Sequence, residues 1–166
     1  MHIRLRKVFG AVLFAGALVI GSIASAQATP LAPPPSAASA EQNIQVSATG
    51  GWQASVYVPA GESVTIQAPS VGQYWTVDDR PEANLPFVAA QGYPGEPVWG
   101  GNPACKIDPT LPYGALLFRL GDKHGIAAGS IQRTSSNGDD LMFSINDLER
   151  CQWDNAGSLP VAVSIG

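Results

Sequence analysis

Asp147, Asp154 and Asn155 fall within one short stretch near the C-terminus, with Asn146 just before them and Gly157-Ser158 just after. Carboxylates and a primary amide are hard oxygen donors. A loop that gathers them beside free backbone carbonyls suits calcium, which takes roughly 6–8 oxygen ligands. The spacing is not that of an EF-hand, because no D-x-[DN]-x-[DN]-G run and no closing Glu are present. Acidic residues and Asn at this density also serve as solvated turn formers. The residue types by themselves leave both readings open.

The flanking segments decide how such a loop would be held. Leu141–Ile145 is an apolar run that leads into it. Leu159–Ile165 leads out, with Leu159, Val161, Val163 and Ile165 alternating onto one face. Pro160 marks the start or an edge of that strand. Upstream, Ile44 and Val46 alternate with polar residues, as do Trp52, Ala54, Val56 and Val58, and then Val64, Ile66 and Ala68. Turns at Thr49-Gly50-Gly51 and Pro59-Ala60-Gly61-Glu62 separate them. Tyr74–Val77 reads as a fourth strand and Tyr113–Leu120 as a strongly apolar one. Gly121–Gly125 reads as a turn, Ser130–Arg133 as a short edge strand, and Ser136-Asn137-Gly138-Asp139 as a hairpin turn. No sustained helical period is present. The pattern predicts an all-β antiparallel sandwich with little or no helix. Residues 78–111 form one long Pro- and Gly-rich loop carrying Phe87, Tyr93, Trp99 and Cys105, of the length that usually serves function.

The N-terminus predicts delivery to an oxidising compartment. Arg4, Arg6 and Lys7 precede an apolar run from Val8 to Ile23 and an Ala24-Ser25-Ala26 cleavage signal, so residues 1–26 read as a secretory signal peptide. An uncleaved anchor is the alternative. Residues 27–42 read as an Ala/Pro-rich linker and 43–166 as a single domain. The expected location is secreted or periplasmic. No later segment is long and apolar enough to span a bilayer. Cleavage leaves six Lys and Arg against thirteen Asp and Glu, a net charge of −7. That balance excludes binding to the phosphate backbone of nucleic acids, which requires a basic surface. With only Cys105 and Cys151 in a secreted chain, a disulfide between them is expected.

The order of these segments resembles the calcium-dependent, galactose-specific bacterial lectins of the PA-IL type. Phe143-Ser144-Ile145-Asn146-Asp147, Asp154-Asn155-Ala156-Gly157-Ser158 and Val161–Gly166 are similar to that family's ligand loop and closing strand, with matching spacing from Asp147 to Asn155. Tyr57–Ile66 is similar to its strand-turn-strand, Tyr74 to its calcium-binding tyrosine position, and Gly114–Gly121 to its central Gly-Ala-Leu strand. The likeness covers most of residues 45–166. It implies a sandwich of the galactose-binding-domain or jelly-roll kind. It also implies Ca2+ held by the Tyr74 and Cys151 carbonyls and the Asp147, Asp154 and Asn155 side chains, with vicinal sugar hydroxyls on the remaining positions. Tyr74, Asp147, Leu148, Asp154 and Asn155 would then touch the sugar, Leu148 from the side of the ring. The implied partner is a carbohydrate, with a galactose-type terminus. Two departures stand out. Asp154 replaces an amide of the family, and the loop after the tyrosine, which carries the family's remaining His-Pro and Gln sugar contacts, is much longer here and does not align, leaving Arg80, Asn84 and Gln91 as candidates. A Cys105–Cys151 bridge would fasten that loop to the ligand loop.

Catalytic patterns are absent. His124 is the one histidine beyond the signal segment, and no nucleophile-elbow, zincin, P-loop or dinucleotide fingerprint occurs. The expected function is therefore binding without catalysis. The alternative is a structural or adhesion sandwich that keeps calcium for stability and binds no sugar. A homo-oligomer would raise the avidity of a single weak site.

Overall fold

Alternating valines and isoleucines give each strand one dry face, and two sheets close over those faces. The computed structural model describes residues 41–95 and 103–166. The signal segment, most of the Ala/Pro-rich linker and Trp99 lie outside the described residues. The strands are β1 (Gln42–Ser47), β2 (Gln53–Val58), β3 (Ser63–Ala68), β4 (Trp75–Thr76), β5 (Leu116–Leu120), β6 (Lys123–Ile126), β7 (Gly129–Thr134), β8 (Asp139–Ile145) and β9 (Ala156–Ile165). Short 3-10 turns at Pro103–Cys105 and Glu149–Asp154 are the helical segments among the described residues. No helix there is long and apolar enough to cross a membrane.

One sheet has the order β1-β9-β3-β7, with β4 paired to β9 as well. The other has the order β2-β8-β5-β6, and every pairing is antiparallel. The expected all-β antiparallel sandwich is the observed fold. Val46, Val64, Ile66, Leu159, Val161 and Val163 of the first sheet join Val58, Phe118, Leu141, Phe143 and Ile145 of the second in one buried core. Trp75 is fully buried in it and donates its indole N–H to the Gly114 carbonyl at 2.9 Å. A buried Trp needs such a partner for its polar edge.

Several boundaries differ from expectation, each for a non-local reason. The Asn137-Gly138 turn joins β7 of one sheet to β8 of the other, so it is a corner between sheets and not a hairpin. The Gly121–Gly125 turn is shorter than its glycines imply, because Lys123–Ile126 pairs with β5 as strand β6. Tyr113 and Gly114 form a turn before β5, with Gly114 at φ +70°. Tyr74–Val77 contributes only two residues of strand. Pro160 lies inside β9, away from its start, where the strand is locally an edge. It pairs with Gln45 of β1, and β9 meets β3 only from Ala162 onward and β4 only at Gly157 and Ala156. The missing N–H therefore falls where β9 is paired on one side alone.

Candidate metal centre

Strand β8 ends at Ile145, and the next two residues turn inward. Asn146 is fully buried. Its side chain accepts from the Asp108 N–H at 2.9 Å and donates to the carbonyls of Asp108, Leu111 and Pro112 at 3.0, 3.2 and 2.9 Å. One amide thus holds the end of the long loop. Asp147 follows, also fully buried. Its Oδ1 accepts the Tyr113 hydroxyl at 3.1 Å, and its Oδ2 has no hydrogen-bond partner. The chain then makes the Glu149–Asp154 3-10 turn. Asn155, at its end, donates Nδ2 to the Ala48 carbonyl at 2.9 Å and leaves its buried Oδ1 without a partner.

Two buried acceptor oxygens, Asp147 Oδ2 and Asn155 Oδ1, are thus left without a hydrogen-bond partner on residues whose side chains interact. Burying an oxygen unpaired costs on the order of 1–3 kcal/mol, more for a charge. Burial pushes the Asp147 carboxyl up to about 6; the nearby Asp154 charge adds to this, and the Asn155 and Tyr113 side chains oppose it. An arrangement that disfavours a carboxylate while keeping its acceptors together is complementary to a cation. The donor set fits calcium: all-oxygen, with anionic carboxylate and amide members.

Of the other expected ligands, Tyr74 lies beside β9, and Cys151 and Asp154 lie on the 3-10 turn. The Tyr74 carbonyl lies against β9. A Cβ built on Gly157 would stand 2.2 Å from it, and Gly157 has φ +95°, so only glycine lets the chain pass this close. Cys151 sits on the 3-10 turn, its N–H bonded to the Leu148 carbonyl at 2.7 Å. Asp154 is largely buried, which raises its pKa, and the charge of Asp78 raises it further. Its Oδ2 is 3.3 Å from Arg80 Nη2. Leu148 is half-buried and donates its N–H to the Cys105 carbonyl at 2.5 Å.

Cys105 and Cys151 are bonded to each other, with Cα atoms 5.9 Å apart. Their sulfurs and a carboxylate oxygen of Asp147 lie within 4.8 Å of one another. Tied in a disulfide, the sulfurs do not act as thiolate ligands; the bridge walls the carboxylate. Of the three candidates in the long loop, Arg80 alone reaches the centre, while Asn84 and Gln91 are exposed.

Sequence reasoning missed Gln152. Its buried side chain accepts from the Gly50 and Gly51 N–H groups at 2.9 Å each and donates to the Asp147 carbonyl at 2.6 Å. It joins the β1–β2 turn to the ligand loop. Nothing local marks it, because the two glycines it holds lie about a hundred residues away. His124, expected in a turn, is on β6 with Nε2 3.2 Å from Asp108 Oδ2.

The sequence matches no protein-family model and no curated protein. Among solved structures, one described as the EclA N-terminal domain, a PllA-like lectin, is similar to this chain. Its TM-score is 0.51 at 23% identity, over 75% of this chain and 95% of that one. The likeness extends over the sandwich as a whole and establishes its fold.

Proposed function

We propose that this chain is a secreted, calcium-dependent carbohydrate-binding protein with preference for a galactose-type terminus. The observation that carries the reading is the pair of buried, unpartnered oxygens, Asp147 Oδ2 and Asn155 Oδ1, in the loop between β8 and β9. The sandwich shared with a structure described as a lectin supports it. In this reading the Asp147, Asp154 and Asn155 side chains and the Tyr74 and Cys151 carbonyls hold calcium. When bound, the ion offers its remaining positions to two vicinal hydroxyls. The carboxylates of Asp147 and Asp154 accept the hydroxyl protons in charge-assisted bonds, and Leu148 flanks the ring.

A second reading, a structural or adhesion module with a stabilising calcium, draws on Arg80. Its guanidinium already engages Asp154 Oδ2, an oxygen that the first reading assigns to calcium and sugar. A glycan array with and without chelator separates the two. The expected result is chelator-sensitive signal on galactose-terminated glycans, lost in Asp147→Ala. A calcium-dependent melting temperature without glycan signal would establish the second reading instead. No calcium effect of either kind would remove the metal centre itself.

A further inference from the structure

We propose that Trp153 and Arg80 form a second saccharide subsite beside the metal centre, taking the sugar that follows the terminal residue of a neutral oligosaccharide. The inference rests on the carbohydrate-binding reading above and adds the length of the ligand. Within the 3-10 turn, Gln152 is buried, whereas Trp153 is 72% exposed. Leaving a large indole in water forgoes the gain from burying it. This exposed indole also adjoins Asp154 in the chain.

The shelf is ordered before any ligand arrives. Arg80 Cζ lies 5.0 Å from the Trp153 ring centroid. The same guanidinium donates to Asp78 through Nε at 2.8 Å and Nη2 at 2.5 Å and stands 3.3 Å from Asp154 Oδ2. The Asp79 N–H donates to the Asp154 carbonyl at 2.8 Å, fixing the backbone beneath. Arg80 Nη1 has no hydrogen bond among the described residues. With Arg80 on one face of the indole, an exposure of 72% leaves the other face to solvent. A preordered surface of this kind binds with little entropic loss.

The chemistry selects a sugar ring. A pyranose carries an apolar face of C–H groups and a rim of hydroxyls. The open indole face suits the first, and the free guanidinium donors suit the second. Asp78, Glu82 and Asp154 lie about Arg80 and compensate its charge, so a uronic or sialic carboxylate is disfavoured and a neutral sugar fits.

The test is calorimetric titration of the calcium-loaded protein with methyl α-galactoside and with melibiose, in wild type, Trp153→Ala and Trp153→Phe. Wild type is expected to bind the disaccharide about tenfold tighter, the scale of one aromatic contact. Trp153→Ala should lose that preference while methyl α-galactoside affinity and the calcium-induced rise in melting temperature stay unchanged. Trp153→Phe should retain most of it. Melibiose should also shift tryptophan emission in wild type where the monosaccharide does not. Equal affinity of wild type for both sugars, or a preference that survives in Trp153→Ala, would overturn the subsite while leaving the metal-centred reading intact. Failure to bind either sugar, with the calcium effect on melting preserved, would overturn the subsite together with the carbohydrate-binding reading and leave only the calcium centre.

Discussion

Asp147 is where burial and charge conflict most directly. Its raised pKa, about 6 against an ordinary 3.8, means that the folded, metal-free protein holds the proton to a higher pH than the unfolded chain does. A raised folded pKa contributes stability that is full below the unfolded value and is lost as pH rises through the folded one. Metal-free wild type should therefore lose about 1–3 kcal/mol between pH 4 and 6.5 relative to Asp147→Asn, which does not titrate. In the proposed calcium complex the sign reverses, because protons and metal would compete for the same oxygens. Apparent calcium affinity should fall as pH drops below 6. Paired denaturation curves at several pH values check both statements, and identical pH dependence in wild type and variant would rule out the buried, unpaired carboxylate. Gln152 makes a separate prediction. Gln152→Ala strips partners from one buried and one part-buried N–H group and from one carbonyl, so it should cost about 1–3 kcal/mol in urea denaturation. A loss below half a kilocalorie would show that water replaces the amide.

The elements that were legible in the sequence were those whose signal is local. Alternation along Leu159–Ile165 gave the buried face of β9, and the apolar run before Asn146 gave β8. Partner choice was not legible. Asn137-Gly138 has the chemistry of a hairpin turn, yet its two strands belong to different sheets, because β8 finds a better surface between β2 and β5. In the candidate site, Asp147 and Asn155 could be named from residue type and order. The hold on the long loop could not, since Asn146, Arg150 and Leu148 reach it through contacts distant in sequence. The disulfide is the part of that hold visible from composition. It spans 46 residues and ties the 3-10 turn Pro103–Cys105 to the one carrying Cys151. Replacing both cysteines by alanine should lower stability by about 3–4 kcal/mol on the chain-entropy account. Calcium affinity should fall as well, since the bridge walls Asp147 and Cys151 is itself in the ligand loop. Unchanged melting and unchanged calcium titration in the double variant would show that the polar clamps suffice alone.

Across the whole molecule, the candidate centre is a junction and not an appendage. Its groups come from the segment entering β4, from the end of β8 and from the start of β9. The side chains of Gln152 and Asn155 bind the turn that leaves β1. Strand β9 in turn pairs with β1, β3 and β4. A ligand held at such a junction stabilises the native state of the sandwich, because it ties together segments that join different strands of the core. Calcium at a hundredfold its dissociation constant should add about 2.7 kcal/mol to unfolding. In urea it should appear as a higher midpoint with an unchanged slope, since the surface exposed on unfolding stays the same. Tryptophan fluorescence and far-ultraviolet circular dichroism should give coincident curves with and without the metal. Trp75 in the core and Trp153 at the rim report from different places, so an early fluorescence transition that calcium alone removes would show a locally folding loop and contradict this coupling.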